Sequence, residues 1–165
     1  MKCLSCSKEA GRLPASLLMV LVALLSGCGA DVNQQTVNTG QTLDCAQFAG
    51  TVNQIFDANI GGKTCSASGC HSVFGSSGGA FKIYPGITVV NSLEMQANYL
   101  AAKGFANLNT AADSKLLLEP LVGSQSIVGS HAGGDIFTDT FADTNYLTIF
   151  AWISNRIPGP SACYP

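Results

Sequence analysis

Cys65-Ser66-Ala67-Ser68-Gly69-Cys70-His71 holds the residue types best suited to chemistry in this chain. Two thiols followed at once by an imidazole is the arrangement that attaches haem covalently. Each thiol adds to one vinyl group of the porphyrin, and the adjacent His ligates the iron from one face. A domain too small to grip a haem by burial alone can keep it this way. The customary spacing puts two residues between the cysteines. Here there are four, so the loop must bulge, and Ser66, Ala67, Ser68 and Gly69 are small enough to allow it. Two other chemistries suit the same residues. Nearby cysteines in an exported chain can close a local disulfide, which leaves the adjacent His without a purpose. Cys65, Cys70 and His71 with one further ligand could instead bind zinc. Structural zinc sites usually join two separated ligand clusters, and no second cluster stands in this sequence.

Four helical segments are available to position these groups. Apolar residues at Cys45, Phe48, Val52, Ile55, Phe56 and Ala58 predict a helix over 42–59, with Thr42 or Asp44 near its cap and Gly61-Gly62 stopping it. Residues 92–103 predict a second, opened by Ser92 and closed by Gly104. Asp113 to Glu119 predicts a short third, halted by Pro120. The clearest pattern runs over 143–156, where Asp143 is the expected N-cap and Tyr146, Ile149, Phe150 and Ile153 form one apolar stripe. Loops rich in Gly, Ser and Asn lie between them. An all-α domain with so few helices would profit from something large and apolar to wrap around.

The rest of the 165-residue chain concerns where the protein goes. Charged residues make up 11% and hydrophobic ones 47%, against about 25% charged in an ordinary soluble protein. No run of like charge exists, which argues against a nucleic-acid partner. Lys2, Lys8 and Arg12 precede the apolar run Leu17–Leu25, which has the length of a secretory h-region and is too short to cross a bilayer. It ends in Leu25-Ser26-Gly27-Cys28, which resembles the lipobox of bacterial lipoproteins. That resemblance implies a signal peptide over 1–27 and diacylglycerol on Cys28, an anchor made stable by several acyl chains. An ordinary signal peptide whose cleavage site happens to include a cysteine is the other reading. Gly29 after the Cys resembles a cue for sorting to the outer membrane. Residues 28–41 are polar and read as a flexible tether, leaving 42–165 as the folded domain. Without the signal peptide the net charge falls from −2 to −4, because three of eight basic residues and one of ten acidic ones are lost.

The domain as a whole resembles a monohaem c-type cytochrome of bacterial lipoproteins. The resemblance rests chiefly on Cys65, Cys70 and His71, whose longer spacing is similar to variants known in that family. Ile55-Phe56-Asp57-Ala58-Asn59, Asp113-Ser114-Lys115-Leu116-Leu117 and Phe150-Ala151-Trp152-Ile153 add weaker support. It implies a cytochrome c-like all-α fold around one covalent haem c. The first and last helices would then cross over a haem edge, with Gly50 permitting their close approach. A second axial ligand is expected from the loop before the last helix, where His131 stands among glycines. Met95 and an open coordination site are the alternatives. Two imidazoles would give a lower potential than His/Met ligation and would leave no position for oxygen or peroxide. Trp152, Tyr84, Tyr99, Lys82 and Arg156 are unranked candidates for haem packing or propionate binding, and the plainer reading makes most of them simple core or surface residues. If the terminal helices cross, Cys45 and Cys163 come near each other, and two spare thiols in an exported domain then favour a disulfide.

The expected function is therefore electron transfer. The chain would carry single electrons between redox partner proteins at the bacterial cell envelope, lipid-anchored at the outer membrane, and would not be an enzyme. Two rivals remain at this stage. One is a haem domain with an open distal site, for gas sensing or peroxide reduction. The other is a non-redox structural lipoprotein whose cysteines form disulfides.

Overall fold

A computed structural model describes residues 40–123 and 131–163. The signal segment, Cys28 and most of the tether lie outside the described residues, as do Gly129 and Ser130 of the loop before His131. Among the described residues, no helix is long and apolar enough to cross a membrane.

The first predicted helix forms in three consecutive pieces: α1 (Cys45–Gln47), a π-helical stretch (Phe48–Val52) and α2 (Asn53–Asp57). Asp44 caps the start, its carboxylate accepting from the Ala46 N–H at 2.8 Å. The widened turn has a local cause. Gly50 is a poor helix former, and Thr51 Oγ1 donates to the Gln47 carbonyl at 2.7 Å, competing with the backbone ladder. Asn53 N–H accordingly reaches back five residues to Phe48. The apolar stripe still points inward, and Cys45, Phe48, Val52, Ile55 and Phe56 are all buried.

Helix α3 (Leu93–Gly104) begins under a Ser92 cap that accepts from Met95 N–H, and it ends at Phe105. The segment expected as one helix over 113–119 divides. A 3-10 turn (Ala111–Asp113) precedes α4 (Lys115–Leu118), because Ser114 is extended between them, with φ −71° and ψ 128°. Helix α5 (Thr144–Ser154) is capped by Asp143, whose carboxylate accepts from Asn145 and Tyr146. Two short strands, β1 (Gln41–Thr42) and β2 (Ile157–Pro158), pair antiparallel.

An aromatic cluster joins these pieces. The Phe48 ring lies 5.3 Å from Trp152, 5.6 Å from Tyr99 and 6.1 Å from Phe56. Fully burying one such side chain contributes about 3 kcal/mol. The polar ends are satisfied across elements: Trp152 Nε1 donates to the Asp44 carbonyl at 2.8 Å, and Tyr99 Oη to the Leu43 carbonyl at 2.7 Å. A buried amide pair does the same on the other side. Asn98 Nδ2 donates to Asn53 Oδ1 and the Tyr84 carbonyl, Asn98 Oδ1 accepts from Tyr84 N–H, and Asn53 Nδ2 donates to the Ile87 carbonyl.

Gly50 does not serve the helix crossing. A Cβ placed there would meet nothing within 4 Å, and the contact between the first helical stretch and α5 is made by Phe48 and Trp152 instead. Cys45 and Cys163 are joined by a disulfide with Cα atoms 5.3 Å apart. It ties the C-terminal segment to the start of α1, where Ser161 Oγ also accepts from Cys45 N–H.

Candidate functional site

The bulged loop between the two thiols is held by its own backbone. Ser66 N–H donates to Phe56, Ala67 N–H to Thr64, Cys70 N–H to Ala67, and His71 N–H to the Cys65 carbonyl, the last at 2.9 Å. The four intervening residues thus curl into a turn that leaves Cys65 and Cys70 at its two ends. The thiols are not bonded to each other. Burial, reinforced by the nearby Cys70 thiol, pushes the Cys65 thiol from its ordinary 9.0 up to about 11. It is therefore a neutral thiol at physiological pH.

His71 is oriented by the loop that follows it. Its Nδ1 lies 2.9 Å from the Gly78 carbonyl and 3.0 Å from the Phe81 carbonyl. Carbonyls only accept, so Nδ1 carries a proton, and in the neutral ring Nε2 keeps the lone pair. Such a bond to the outer nitrogen is what a metal-binding imidazole normally makes. The Phe81 ring supports His71 edge-on at 4.9 Å and packs in turn on Phe56 and Phe105.

His131 is held by a tight turn. Its backbone N–H donates to Asp135 Oδ1 at 3.1 Å, Gly134 N–H donates to its carbonyl at 2.7 Å, and its Nδ1 lies 3.1 Å from the Gly134 carbonyl. The same argument places a proton on Nδ1, so that in the neutral ring Nε2 carries the lone pair. The turn is pinned by Ile136 and Phe137, whose N–H groups donate to the Pro120 carbonyl, and by Lys63 Nζ, 3.4 Å from the Asp135 carbonyl.

These pieces bring the two imidazoles together. Their centroids are 5.7 Å apart, with planes inclined by 20°. That separation lies within the range of offset-stacked rings. With imidazole nitrogens about 2 Å from a shared metal, two rings facing across it stand about 6 Å apart. An apolar cavity of about 50 Å³ runs beside the pair, lined by Phe56, Cys65, Phe81, Phe105, Ile136 and Phe137 among others. It shares both histidines with a wider opening of about 670 Å³ lined by Cys70, Ser77, Gly78, Gly79, Ala132 and Gly133. The wider opening is of the size of a cofactor site, and the apolar cavity is not. Lys115 and Glu119 are the charged residues of the cavity wall.

The donor set distinguishes the candidate groups. Among the described residues, no cluster of three or more His, Cys, Asp or Glu converges on a point where a bare metal ion could sit. A haem iron needs only two protein ligands, since the porphyrin supplies the rest. His71 and His131 can supply those two, with Cys65 lining one part of the cleft and Cys70 the other. Met95 is fully buried in the core and does not line the cleft. Trp152, Tyr84, Tyr99, Lys82 and Arg156 do not line it either. Trp152 and Tyr99 are committed to the helix crossing, and Lys82 to backbone carbonyls. Nothing in the sequence points to Phe81, Phe105 or Phe137, because loop aromatics without periodicity carry no sign of the cavity they wall. No family model matches the chain, and no curated protein or solved structure matches it significantly.

Proposed function

We propose that this chain is a lipid-anchored monohaem cytochrome with a cytochrome c-like all-α domain, carrying single electrons between redox proteins at the bacterial cell envelope. The observation that carries the reading is the pair of imidazoles 5.7 Å apart, each with Nδ1 committed to backbone carbonyls, beside two unbonded thiols. Cys65 and Cys70 would hold the haem through thioethers, and His71 and His131 would ligate its iron through Nε2. Bound there, it would supply one-electron exchange between ferrous and ferric iron. The chain's own part is to orient and to exclude. The carbonyls of Gly78, Phe81 and Gly134 fix both tautomers and raise ligand basicity. The Phe81, Phe105 and Phe137 walls keep water from the apolar side. Held by both His71 and His131, the iron would have no position left for a substrate, which favours electron carriage over catalysis.

The test is to produce the chain with haem-attachment machinery and to measure its mass and visible spectrum. A mass increase of one haem with a low-spin ferric spectrum is expected. His131→Ala should turn that spectrum high-spin and let the reduced protein bind carbon monoxide. A wild-type protein that is already high-spin supports the open-site reading. Absence of covalent haem leaves the non-redox structural lipoprotein.

A further inference from the structure

The segment from Ser72 to Lys82 (SVFGSSGGAFK) is built from Ser, Gly and Ala around two phenylalanines. Such a composition has little conformational preference of its own, yet this loop must deliver two carbonyls to His71 Nδ1. Its ends are paired: Val73 N–H donates to the Ile83 carbonyl at 2.9 Å, and Ile83 N–H to the His71 carbonyl at 2.8 Å. Its middle is gathered by one side chain. Lys82 Nζ lies 2.9 Å from the Gly75 carbonyl and 3.4 Å from the Ser72 carbonyl, and it also bonds the Ser77 carbonyl. Phe81 and Ile83 on either side are buried in the core, so Lys82 alone of the three turns back into the loop. Three carbonyl dipoles directed at one point repel unless a cation sits there. Lys82 is the cation of this segment, and its bonds are charge-assisted.

We infer that Lys82 is a positioning residue for His71: its ammonium gathers the carbonyls of Ser72, Gly75 and Ser77 and so holds the Gly78 and Phe81 carbonyls on the His71 Nδ1–H. The inference rests on the reading of His71 as an iron ligand, but its mechanics belong to the protein alone. The loop flanks the wider opening, so without the clamp it would open to solvent and release the imidazole proton to exchange. The neighbouring close approaches fit a loop drawn tight. A Cβ on Gly75 would run into the Ser68 carbonyl, and one on Gly78 would come within 2.7 Å of His71 Nδ1.

The experiment measures exchange of the His71 Nδ1 proton by NMR in the haem-loaded protein, with the α3 amides as a reference for global stability. Lys82→Met keeps the length and removes the charge; Lys82→Arg keeps a cation. Loss of the charge-assisted bonds should speed His71 Nδ1–H exchange by about tenfold to a hundredfold, with α3 protection unchanged and with K82R restoring slow exchange. An unchanged rate in K82M overturns the inference, as does a rise matched equally by the α3 amides. Should K82M fail to fold, the wild-type ammonium decides. Its Nζ protons must exchange more slowly than those of Lys115, and equal rates overturn the clamp. Covalent haem is determined separately by mass. Its absence removes the functional reading, while the Lys82 measurement is then made on the haem-free chain.

Discussion

Gly78 is a tight point of the site against backbone and the His71 ring, and alanine there perturbs the structure by a calculable amount. The backbone at Gly78 has φ +86°, and an added Cβ would run into the Cys70 carbonyl oxygen and lie 2.7 Å from His71 Nδ1. The left-handed backbone costs an L residue about 1–2 kcal/mol, and crowding a packed neighbour costs about 1–3 kcal/mol. Together Gly78→Ala should destabilise the domain by about 3 kcal/mol. Two nearby glycines separate the terms. Gly79 has φ +58° with nothing within 4 Å of a Cβ, so Gly79→Ala should cost only the backbone term, about 1 kcal/mol. Gly69 has neither a positive φ nor a near neighbour, and Gly69→Ala should stay within about 0.5 kcal/mol of wild type. For a domain of this size, 1 kcal/mol moves the melting temperature by about 4 °C. Thermal unfolding followed by circular dichroism should therefore show falls of about 12 °C and about 4 °C for the first two, and less than about 2 °C for the third. If Gly78→Ala costs no more than Gly79→Ala, the Cys70 carbonyl and the His71 ring are not where the packing argument needs them, and the orientation of His71 by this loop is refuted.

Removing the disulfide with Cys45→Ala and Cys163→Ala frees a loop with a sequence separation of 118. In the chain-entropy description this costs up to about 5 kcal/mol. Calorimetry should show a melting temperature lower by up to about 20 °C, and a fall below about 4 °C would mean that the strand pair and Ser161 hold the C-terminal segment unaided. The Cys65 thiol ionises near 11 in the folded haem-free chain against 9.0 when unfolded. Its contribution is therefore complete below pH 9 and is lost as pH rises through 11, because the unfolded chain sheds the proton first. Urea midpoints across that window should fall for the wild type and stay flatter for Cys65→Ala. Asn98→Leu strands the Tyr84 N–H, the Tyr84 carbonyl and Asn53 Oδ1. That should cost about 3 kcal/mol or more by urea denaturation, and a loss under about 1 kcal/mol would show that the 84–87 loop is held by other means.

Local patterns marked the helices well and their interruptions poorly. Ser92 and Asp143 are capping residues followed by apolar periodicity, and both helices begin where those signals stand. Short-range hydrogen bonding is sufficient to set such boundaries. The π-helical stretch at Phe48–Val52 was hidden, because the apolar stripe survives one widened turn and only the Thr51 bond to Gln47 reveals the strain on the ladder. Residues 113–119 read as one helix, yet Ser114 within them is buried, accepts from Asn107 N–H and stands extended. Gly50, expected at the helix crossing, meets nothing there for a related reason. A small residue or an indole in a helix carries no sign of which neighbour it will meet.

The sequence by itself determined the chemical inventory: which thiols and imidazoles exist, that Cys65, Cys70 and His71 are neighbours, and that His131 follows a glycine-rich loop. Covalent connectivity alone settles those facts. Tertiary structure decided what the inventory can do. Only folding brings His131 to 5.7 Å from His71, turns both Nδ1 atoms onto carbonyls, joins Cys45 to Cys163, and walls the cleft with Phe81, Phe105 and Phe137. Each of these is a contact between residues distant in the chain or in loops without periodicity. Their geometry is set by the packing of the whole core, so no local pattern could announce it.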